Sequence, residues 1–291
     1  MKKTILLIVL ISMSLCKAYA SKIEIVASIP DIGSIASYIG GEKVEVYSIA
    51  RANSNPHAVD VLPSYMIKTA SAKIFLKVGL QLDQWADAII EGSRNPRLLE
   101  VDCSEGINVL DKPAGKVDAS MGDVHPFGNP HYWLNPANGI IIAENILKTL
   151  KKVDHDNSEF YQSNYDRFRV ETLARIENWK AQLAGFKDKS MISYHRSWVY
   201  FATEFGMNAI ATVEPVPGIP PTAKHLTELI ALIKAEKVQI LLQESYFPDS
   251  APKFLNRETG IKVVKAAPEC SDVSPGSYWK HFDDIISAIT R

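Results

Sequence analysis

Hydrophobic residues recur with two regular spacings along most of the chain, and these spacings predict alternating strands and helices. In the first half, β-branched runs predict strands in KIEIVAS, KVEVYSIA, KIFLKVG and RLLEVD. Between them, IGSIASYIG, the segment ending in MIKTASA and LQLDQWADAIIEGS have the spacing of amphipathic helices. Strands and helices in alternation indicate a parallel sheet with helices on its faces.

The second half repeats this pattern after one unusually long helix. The segment from about 158 to 183 places apolar and aromatic residues at helical spacing without a Pro or Gly, so it spans roughly 38 Å at 1.5 Å per residue. Strands follow in SMISY, NAIATV, VQILLQE and IKVVKAA, and helices in FATEFG, TAKHLTELIALIKAEK, APKFLNRETG and GSYWKHFDDIISAIT. We predict an α/β fold of two lobes with a cleft between them: an N-terminal lobe (21–150), a rigid linking helix (151–187) and a C-terminal lobe (188–291).

The first residues have the pattern of an export signal. Met1-Lys2-Lys3 precedes an apolar run, and Ala18-Tyr19-Ala20 has the small-x-small form of a signal peptidase site. We therefore predict that residues 1–20 are a cleaved signal peptide and that the mature protein is periplasmic. Cys16 as a lipid-attachment site is the alternative, but the bulky Leu15 before it disfavours that interpretation.

Composition narrows the choice of partner. Lys and Arg number 32 against 33 Asp and Glu, and no basic stripe indicates nucleic acid or a membrane surface, so we expect a small ligand. Removal of the signal leaves Cys103 and Cys270, which are either bridged or two separate thiols. The segment 106–129 lacks any sustained period and is predicted to be a long surface loop.

Three histidines occupy corresponding places. His57 lies in NSNPHAVDV, His131 in GNPHYWLNP and His195 in ISYHRSW, each beyond a strand or loop and before a helix, where open α/β sheets place ligands. Asn-Pro restrains the backbone before two of them. A histidine at such a position can also be a helix-capping residue bonded to backbone. Three neutral imidazoles converging in a cleft would suit Zn²⁺.

Several long blocks carry a family resemblance. They are NPHAVDVLPSYMIKTASAKIFLKVGLQLDQW, NPHYWLNP, SYHRSWVYFATEFG, PGIPPTAKHLTELIALIKAEKVQILLQESYF and ETGIKVV. Over essentially its whole mature length the chain resembles the zinc- and manganese-binding receptors of ABC importers. The resemblance implies two lobes joined by a long helix, a metal buried in the interlobe cleft, and ligands at His57, His131 and His195. Manganese members often have a carboxylate at the third position, so His195 favours zinc.

The fourth ligand departs from the family's pattern. Many members have Asp or Glu after the last strand, where this chain has Ala267. We expect Glu244, at the end of VQILLQE, to be the fourth metal ligand. Glu269, Asp272 and water are alternatives, and Glu244 could instead orient a ligand histidine.

The remaining histidines and the tryptophans receive simpler interpretations. His125 is the one histidine of the long loop, and we expect it to be solvated rather than a transient metal contact. Surface helix or turn positions are expected for His155, His225 and His281. Trp133 and Trp198 follow two ligand candidates closely, so we expect core packing that also shields the site from water.

The combined prediction is a periplasmic, monomeric, high-affinity receptor that binds Zn²⁺ as cargo and delivers it to the permease of an ABC importer in the inner membrane. A periplasmic metallochaperone is a further candidate partner, and nucleic acid is not. A receptor for Mn²⁺ or Fe²⁺ is the first alternative. A zinc hydrolase is the second, because three histidines with an open position also activate water, but the chain has no H-E-x-x-H motif and no obvious general base except Glu244.

Overall fold

The computed structural model describes residues 22–115, 117 and 125–291, so the predicted signal peptide and Cys16 lie outside the described residues. The strands are β1 (Ile23–Ala27), β2 (Val44–Ser48), β3 (Ile74–Lys77), β4 (Leu99–Asp102), β5 (Ser190–Ser193), β6 (Asn208–Thr212), β7 (Ile240–Glu244) and β8 (Lys262–Ala266). The α-helices are α1 (Pro30–Gly40), α2 (Pro63–Ser71), α3 (Trp85–Ser93), α4 (Pro136–Val153), α5 (Ser158–Gln182), α6 (Val199–Glu204), α7 (Ala223–Ala235), α8 (Ser250–Thr259) and α9 (Ser277–Thr290). Across these ranges we find no helix with the length and apolar character needed to cross a membrane.

The first four strands form one parallel sheet in the order β2-β1-β3-β4. In the central part Ile25 pairs with both Val46 and Ile74. The last three residues of β1 are buried because helices cover both faces of the sheet, as is usual for parallel strands. All four carboxyl ends therefore lie at one edge, from which the loops carrying His57 and His131 depart.

The second sheet repeats the same topology in the order β6-β5-β7-β8, again all parallel. Leu241 of β7 pairs with Ile192 on one side and Val263 on the other. Every residue of β7 is buried, including Glu244 at its carboxyl end. His195 follows β5 directly, so this sheet also presents polar side chains at the carboxyl ends of its strands.

Helix α5 links the two halves, as predicted. Its 25 residues bury an apolar stripe that includes Phe168 and Trp179 while the remaining positions face solvent. Phe168 stacks on Trp279 with ring centroids 5.1 Å apart, so the helix packs against α9 of the second half. The two-sheet α/β architecture with one long connecting helix is confirmed.

The C-terminal helix α9 returns to the first half of the chain. It packs against α1 and α5 as well as β8. The hydroxyl of Tyr278 donates to the Trp133 carbonyl at 2.8 Å, and its ring lies where a Cβ at Gly139 would be only 2.5 Å away. Residues from 277 onward thus pack against helices of the first half, which ties the two halves together beyond the linking helix.

One helix begins later than its pattern predicts. Leu80 and Gln81 have positive φ angles of 51° and 65°, which are incompatible with a right-handed helix. Asp83 instead accepts hydrogen bonds from the backbone N–H groups of Val78 and Gly79 at 2.6 and 3.2 Å. The segment after β3 is therefore a turn closed by Asp83, and α3 begins at Trp85.

Candidate metal centre

The structure brings the three predicted histidines together. The ligand nitrogens of His57, His131 and His195 all lie within 4.8 Å of one another. Nε2 of His57 and Nε2 of His131 are 3.0 Å apart, and His195 presents its ring edge-on to both, with centroids 5.3 Å away. Among the described residues this is the only group of three or more His, Cys, Asp or Glu side chains clustered in this way.

His57 is held by a turn built from its own Asn-Pro dipeptide. The side-chain oxygen of Asn55 accepts a hydrogen bond from the His57 backbone N–H at 3.0 Å, which is the geometry of an Asx turn. Trp85, at the start of α3, donates from Nε1 to the Pro56 carbonyl at 2.9 Å. The loop after β2 is therefore fixed on both sides of the imidazole.

His131 is held by an equivalent Asx turn, and here the asparagine side chain also contacts the imidazole ring. The side-chain oxygen of Asn129 accepts from the His131 backbone N–H at 3.0 Å and from Nδ1–H at 2.9 Å. The amide nitrogen of Asn129 donates to the Arg196 carbonyl at 2.8 Å, next to His195. Sequence reasoning attributed the restrained backbone before His131 to Asn-Pro but missed the hydrogen bonds that the Asn129 side chain accepts. The signal was present, because Asn stands two residues before the histidine in both NPH motifs.

His195 extends from the end of β5 and is oriented by a carboxylate from the neighbouring strand. Its Nδ1 lies 2.7 Å from Oε2 of Glu214, which follows β6, and both side chains are about 5% exposed. The backbone N–H of Gly218 also donates to this oxygen, at 3.2 Å. Sequence reasoning missed Glu214. Its only signal was an acidic residue directly after a strand, in TVEPVPG.

His125 also reaches the site, so the expectation of a solvated loop residue is wrong. Its Nε2 lies 3.2 Å from Nδ1 of His57, on the far side of that ring from His131. Each histidine of the cluster therefore has a partner at Nδ1: a histidine, an amide oxygen or a carboxylate. Nε2 of each ring is then the nitrogen available to an ion.

The environment favours the neutral form of His57 and His131. Burial lowers the pKa of His57 and of His131 well below the usual value, and the neighbouring histidines lower it further. A neutral imidazole has a lone pair available at neutral pH, which is the form that binds a metal. The cluster is therefore suited to a cation.

Two buried carboxylates, Glu244 and Glu269, come from the second half of the chain. Glu244 is fully buried, and Oε2 accepts from the His195 backbone N–H at 3.4 Å while Oε1 has no hydrogen-bond partner among the described residues. Burial raises its pKa to about 7. Neither side-chain oxygen of Glu269 has a hydrogen-bond partner among the described residues. Burial raises the pKa of Glu269 well above the usual value, and the charges of Asp31 and Glu244 raise it further. Neither carboxylate belongs to the 4.8 Å group.

Asp272, the third carboxylate considered from the sequence, is placed differently. It is exposed, and Oδ1 accepts from the Ser274 backbone N–H at 2.7 Å and from the Ser277 hydroxyl at 2.6 Å. These hydrogen bonds lower its pKa to about 2. Asp272 thus serves the turn that precedes α9.

An open cavity of about 610 Å³ leads to the site. His131 and His195 line its inner end, while Asp111 and Arg196 line its wall. Trp133 and Trp198 are fully buried, and the Trp133 ring lies 5.3 Å from that of His131. Trp133 therefore packs against the cluster, whereas Trp198 is part of the buried core beside Phe201, and the cavity opens onto His131 and His195.

His281 corrects a second expectation. It is buried rather than at a helix surface, with Nδ1 2.9 Å from Oδ1 of Asp31 and Nε2 2.8 Å from the Ala267 carbonyl. A carbonyl and a carboxylate both accept, so this geometry favours the doubly protonated imidazolium, and Asp31 raises the pKa of His281. The two cysteines left open by the sequence, Cys103 and Cys270, are free buried thiols.

The whole described fold matches a family of known proteins. A family model for the periplasmic zinc-uptake complex component A, ZnuA, matches residues 25–291. The chain belongs to this family. It is therefore a metal-binding substrate-binding protein of an ABC transporter and not an enzyme, and its function implies a membrane permease and ATPase as partners.

Individual relatives agree with this assignment. The manganese ABC transporter substrate-binding lipoprotein PsaA of Streptococcus mitis is 26% identical over 253 residues, which cover 84% of this chain and 80% of the relative. A crystal structure of ZnuA superimposes with a TM-score of 0.80 at 24% identity, covering 93% of this chain and 98% of the other. FpvC of Pseudomonas aeruginosa in complex with Mn²⁺ gives a TM-score of 0.78 at 24% identity, covering 93% and 98%.

Proposed function

We propose that this protein is a zinc receptor that captures Zn²⁺ outside the cytoplasm and delivers it to the membrane permease of an ABC importer. The observation that carries the proposal is the convergence of three imidazoles, with two Nε2 atoms already 3.0 Å apart. An ion that replaces this nitrogen–nitrogen contact would bind at about 2.0 to 2.1 Å from each nitrogen.

The donor set supports zinc as the cargo. Zn²⁺ binds imidazole nitrogen well and takes four ligands in a tetrahedron, whereas Mn²⁺ prefers shells rich in oxygen. His57, His131 and His195 provide three nitrogens. One carboxylate from the second sheet would complete the shell and close it against a reactive water.

We propose Glu244 as that fourth ligand. Its carboxylate already touches the His195 backbone, and its second oxygen is buried without a hydrogen-bond partner among the described residues. A buried carboxylate oxygen without a hydrogen-bond partner is costly, and a bound cation would offset that cost. Glu269 is the alternative, because both of its side-chain oxygens are also buried without a hydrogen-bond partner among the described residues.

A receptor for manganese is the second candidate, and Fe²⁺ is a related one. The relative PsaA of Streptococcus mitis is named as a manganese receptor. In this chain, Glu244 and Glu269 could together supply the oxygen ligands that Mn²⁺ prefers. The feature that favours this candidate is the presence of two buried glutamates that have oxygens without a hydrogen-bond partner among the described residues, one of which contacts the His195 backbone.

The location follows from the same proposal. Residues 1–20 would be removed as a signal peptide, and the mature protein would act in the periplasm as a monomer. Its partner would be the inner-membrane permease of an ABC importer, with a periplasmic metallochaperone as a further source of metal. The near-balance of 32 basic and 33 acidic residues is consistent with a small cationic cargo rather than nucleic acid.

The test is a competition titration of metal-free mature protein with Zn²⁺ and Mn²⁺. We expect zinc to bind far more tightly than manganese and His131→Ala to weaken it severely. Zinc binding only in the micromolar range or weaker, or an unchanged affinity in His131→Ala, would refute the zinc assignment. Tighter binding of manganese would support the second candidate.

A further inference from the structure

We propose that His125 is a positioning residue for the metal site: it accepts a hydrogen bond from Nδ1–H of His57 and so holds His57 in the tautomer whose Nε2 binds the ion. This inference rests on the proposed metal-receptor function and assigns a role to a loop residue that is not itself a ligand. The contact that carries it is the 3.2 Å distance between Nε2 of His125 and Nδ1 of His57.

The direction of this hydrogen bond follows from the chemistry of the site. A neutral imidazole has one N–H and one lone pair, so a ring that binds metal through Nε2 carries its hydrogen on Nδ1. Nε2 of His57 faces Nε2 of His131 across the cluster. Nδ1 of His57 must therefore donate, and Nε2 of His125 must accept.

The other two ligands show the same arrangement with different acceptors. Nδ1 of His131 donates to the amide oxygen of Asn129, and Nδ1 of His195 faces the Glu214 carboxylate. A partner at the outer nitrogen fixes the ring orientation and tautomer of a metal-binding histidine. His125 fills this place for His57, so all three imidazoles are oriented before the ion arrives.

His57 needs such a partner most. His131 and His195 are 2% and 4% exposed, whereas His57 is only partly buried. Water can reach the outer nitrogen of a ring that is less completely buried, and a ring that turns over presents Nδ1 instead of Nε2. The tilted packing of the His125 ring on His57, with centroids 5.1 Å apart, restrains that rotation.

His125 is placed as a partner and not as a fourth ligand. Its nitrogen contacts the side of the His57 ring opposite His131, and it is absent from the 4.8 Å group of ligand atoms formed by the described residues. It also lines the open cavity that leads to His131 and His195. An ion entering by this cavity would pass His125 and then bind to nitrogens that His125 helps to orient.

The experiment compares three substitutions in the mature protein. His125→Gln keeps an acceptor near the position of Nε2, His125→Phe keeps a ring without an acceptor, and His125→Ala removes both. His155→Ala, at an exposed histidine beside Ser158, is the matched control. Each protein is titrated with Zn²⁺ and with Mn²⁺ against a competing chelator, and the comparison is made on the metal that wild type binds.

We expect His125→Ala and His125→Phe to lose about 10- to 100-fold in affinity, His125→Gln to retain most of it, and the control to match wild type. Nitrogen-15 NMR of the metal-loaded wild type should show His57 with hydrogen on Nδ1 and metal on Nε2. Wild-type affinity in His125→Phe, equal losses in Gln and Ala, or a metal-bound nitrogen on His125 would overturn the inference. Failure of wild type to bind either metal would instead refute the proposed function together with the inference.

Discussion

Arg196 and Asp111 form a two-pronged ion pair across the mouth of the site. The guanidinium donates from Nε to Oδ2 at 2.8 Å and from Nη2 to Oδ1 at 3.0 Å. Arg196 follows His195 in the second half, whereas Asp111 lies in the long loop of the first half. Although burial raises the pKa of Asp111, the hydrogen bonds from Arg196 and Asn129 bring it below the usual value. The ion pair therefore links the loop that carries Asp111 to the second half of the chain, beside the cavity that leads to the histidines.

Removing the ion pair between Arg196 and Asp111 should speed release of the ion. Arg196 is about half exposed, so the pair contributes about 0.4 to 1 kcal/mol, and Arg196→Ala or Asp111→Asn should raise the dissociation rate about two- to fivefold. Stopped-flow mixing of the loaded protein with excess chelator measures that rate. The double variant should be no faster than the single ones. Additive effects would show that the two residues act separately.

Asn129 should matter more than its counterpart Asn55. The Asn129 side chain accepts from both the backbone and the ring of His131, whereas Asn55 accepts only from the backbone of His57. We expect Asn129→Ala to weaken metal binding about 10- to 100-fold. Asn55→Ala, the matched control, should cost clearly less. Isothermal titration of both variants tests this order, and equal losses would contradict it.

The two buried glutamates can be separated by neutral substitution. If Glu244 closes the shell, Glu244→Gln should weaken zinc binding strongly, whereas Glu269→Gln should retain affinity and gain stability by removing an unpaired buried acid. Zinc-edge X-ray absorption would then show three nitrogens and one oxygen in wild type. A large loss confined to Glu269→Gln would transfer the role of fourth ligand to Glu269.

The parts of this molecule that sequence predicts well are those with local causes. The eight strands in the described ranges follow from short apolar runs, several of them rich in β-branched residues, and α5 follows from a helical spacing uninterrupted by Pro or Gly. His57 and His131 stand out because Asn-Pro precedes both. The start of α3 was missed because two residues with positive φ and the Asp83 hydrogen bonds occupy its expected first turn.

The parts that sequence misses depend on distant partners. Glu214 reaches His195 from a neighbouring strand 19 positions along the chain, and His125 reaches His57 from 68 positions away. Neither residue has a local pattern that indicates its target. His281 does stand at helical spacing to the buried Tyr278, Ile285 and Ile289, but its partner Asp31 becomes evident only when α9 returns onto α1. Residues that orient ligands are therefore visible only after the sheets are assembled.

The buried pair of Asp31 and His281 should make stability depend on pH. Burial by itself lowers the pKa of His281, but the charge and hydrogen bond of Asp31, the Ala267 carbonyl and the nearby Asp284 together raise it. A histidine with a raised folded-state pKa contributes stability that is fully present below its unfolded pKa of about 6.5. That contribution is lost as pH rises through the folded pKa.

Urea unfolding of metal-free mature protein at a series of pH values measures this effect. We expect the stability advantage of wild type over His281→Gln to shrink above about pH 6.5, by at most about 1.4 kcal/mol per pH unit for one proton. A chelator must be present, because a bound ion stabilises the folded state by itself. His155→Gln, at an exposed site, should show no such pH-dependent difference. An advantage that stays constant from pH 6 to pH 9 would mean that His281 is not held as a cation by Asp31.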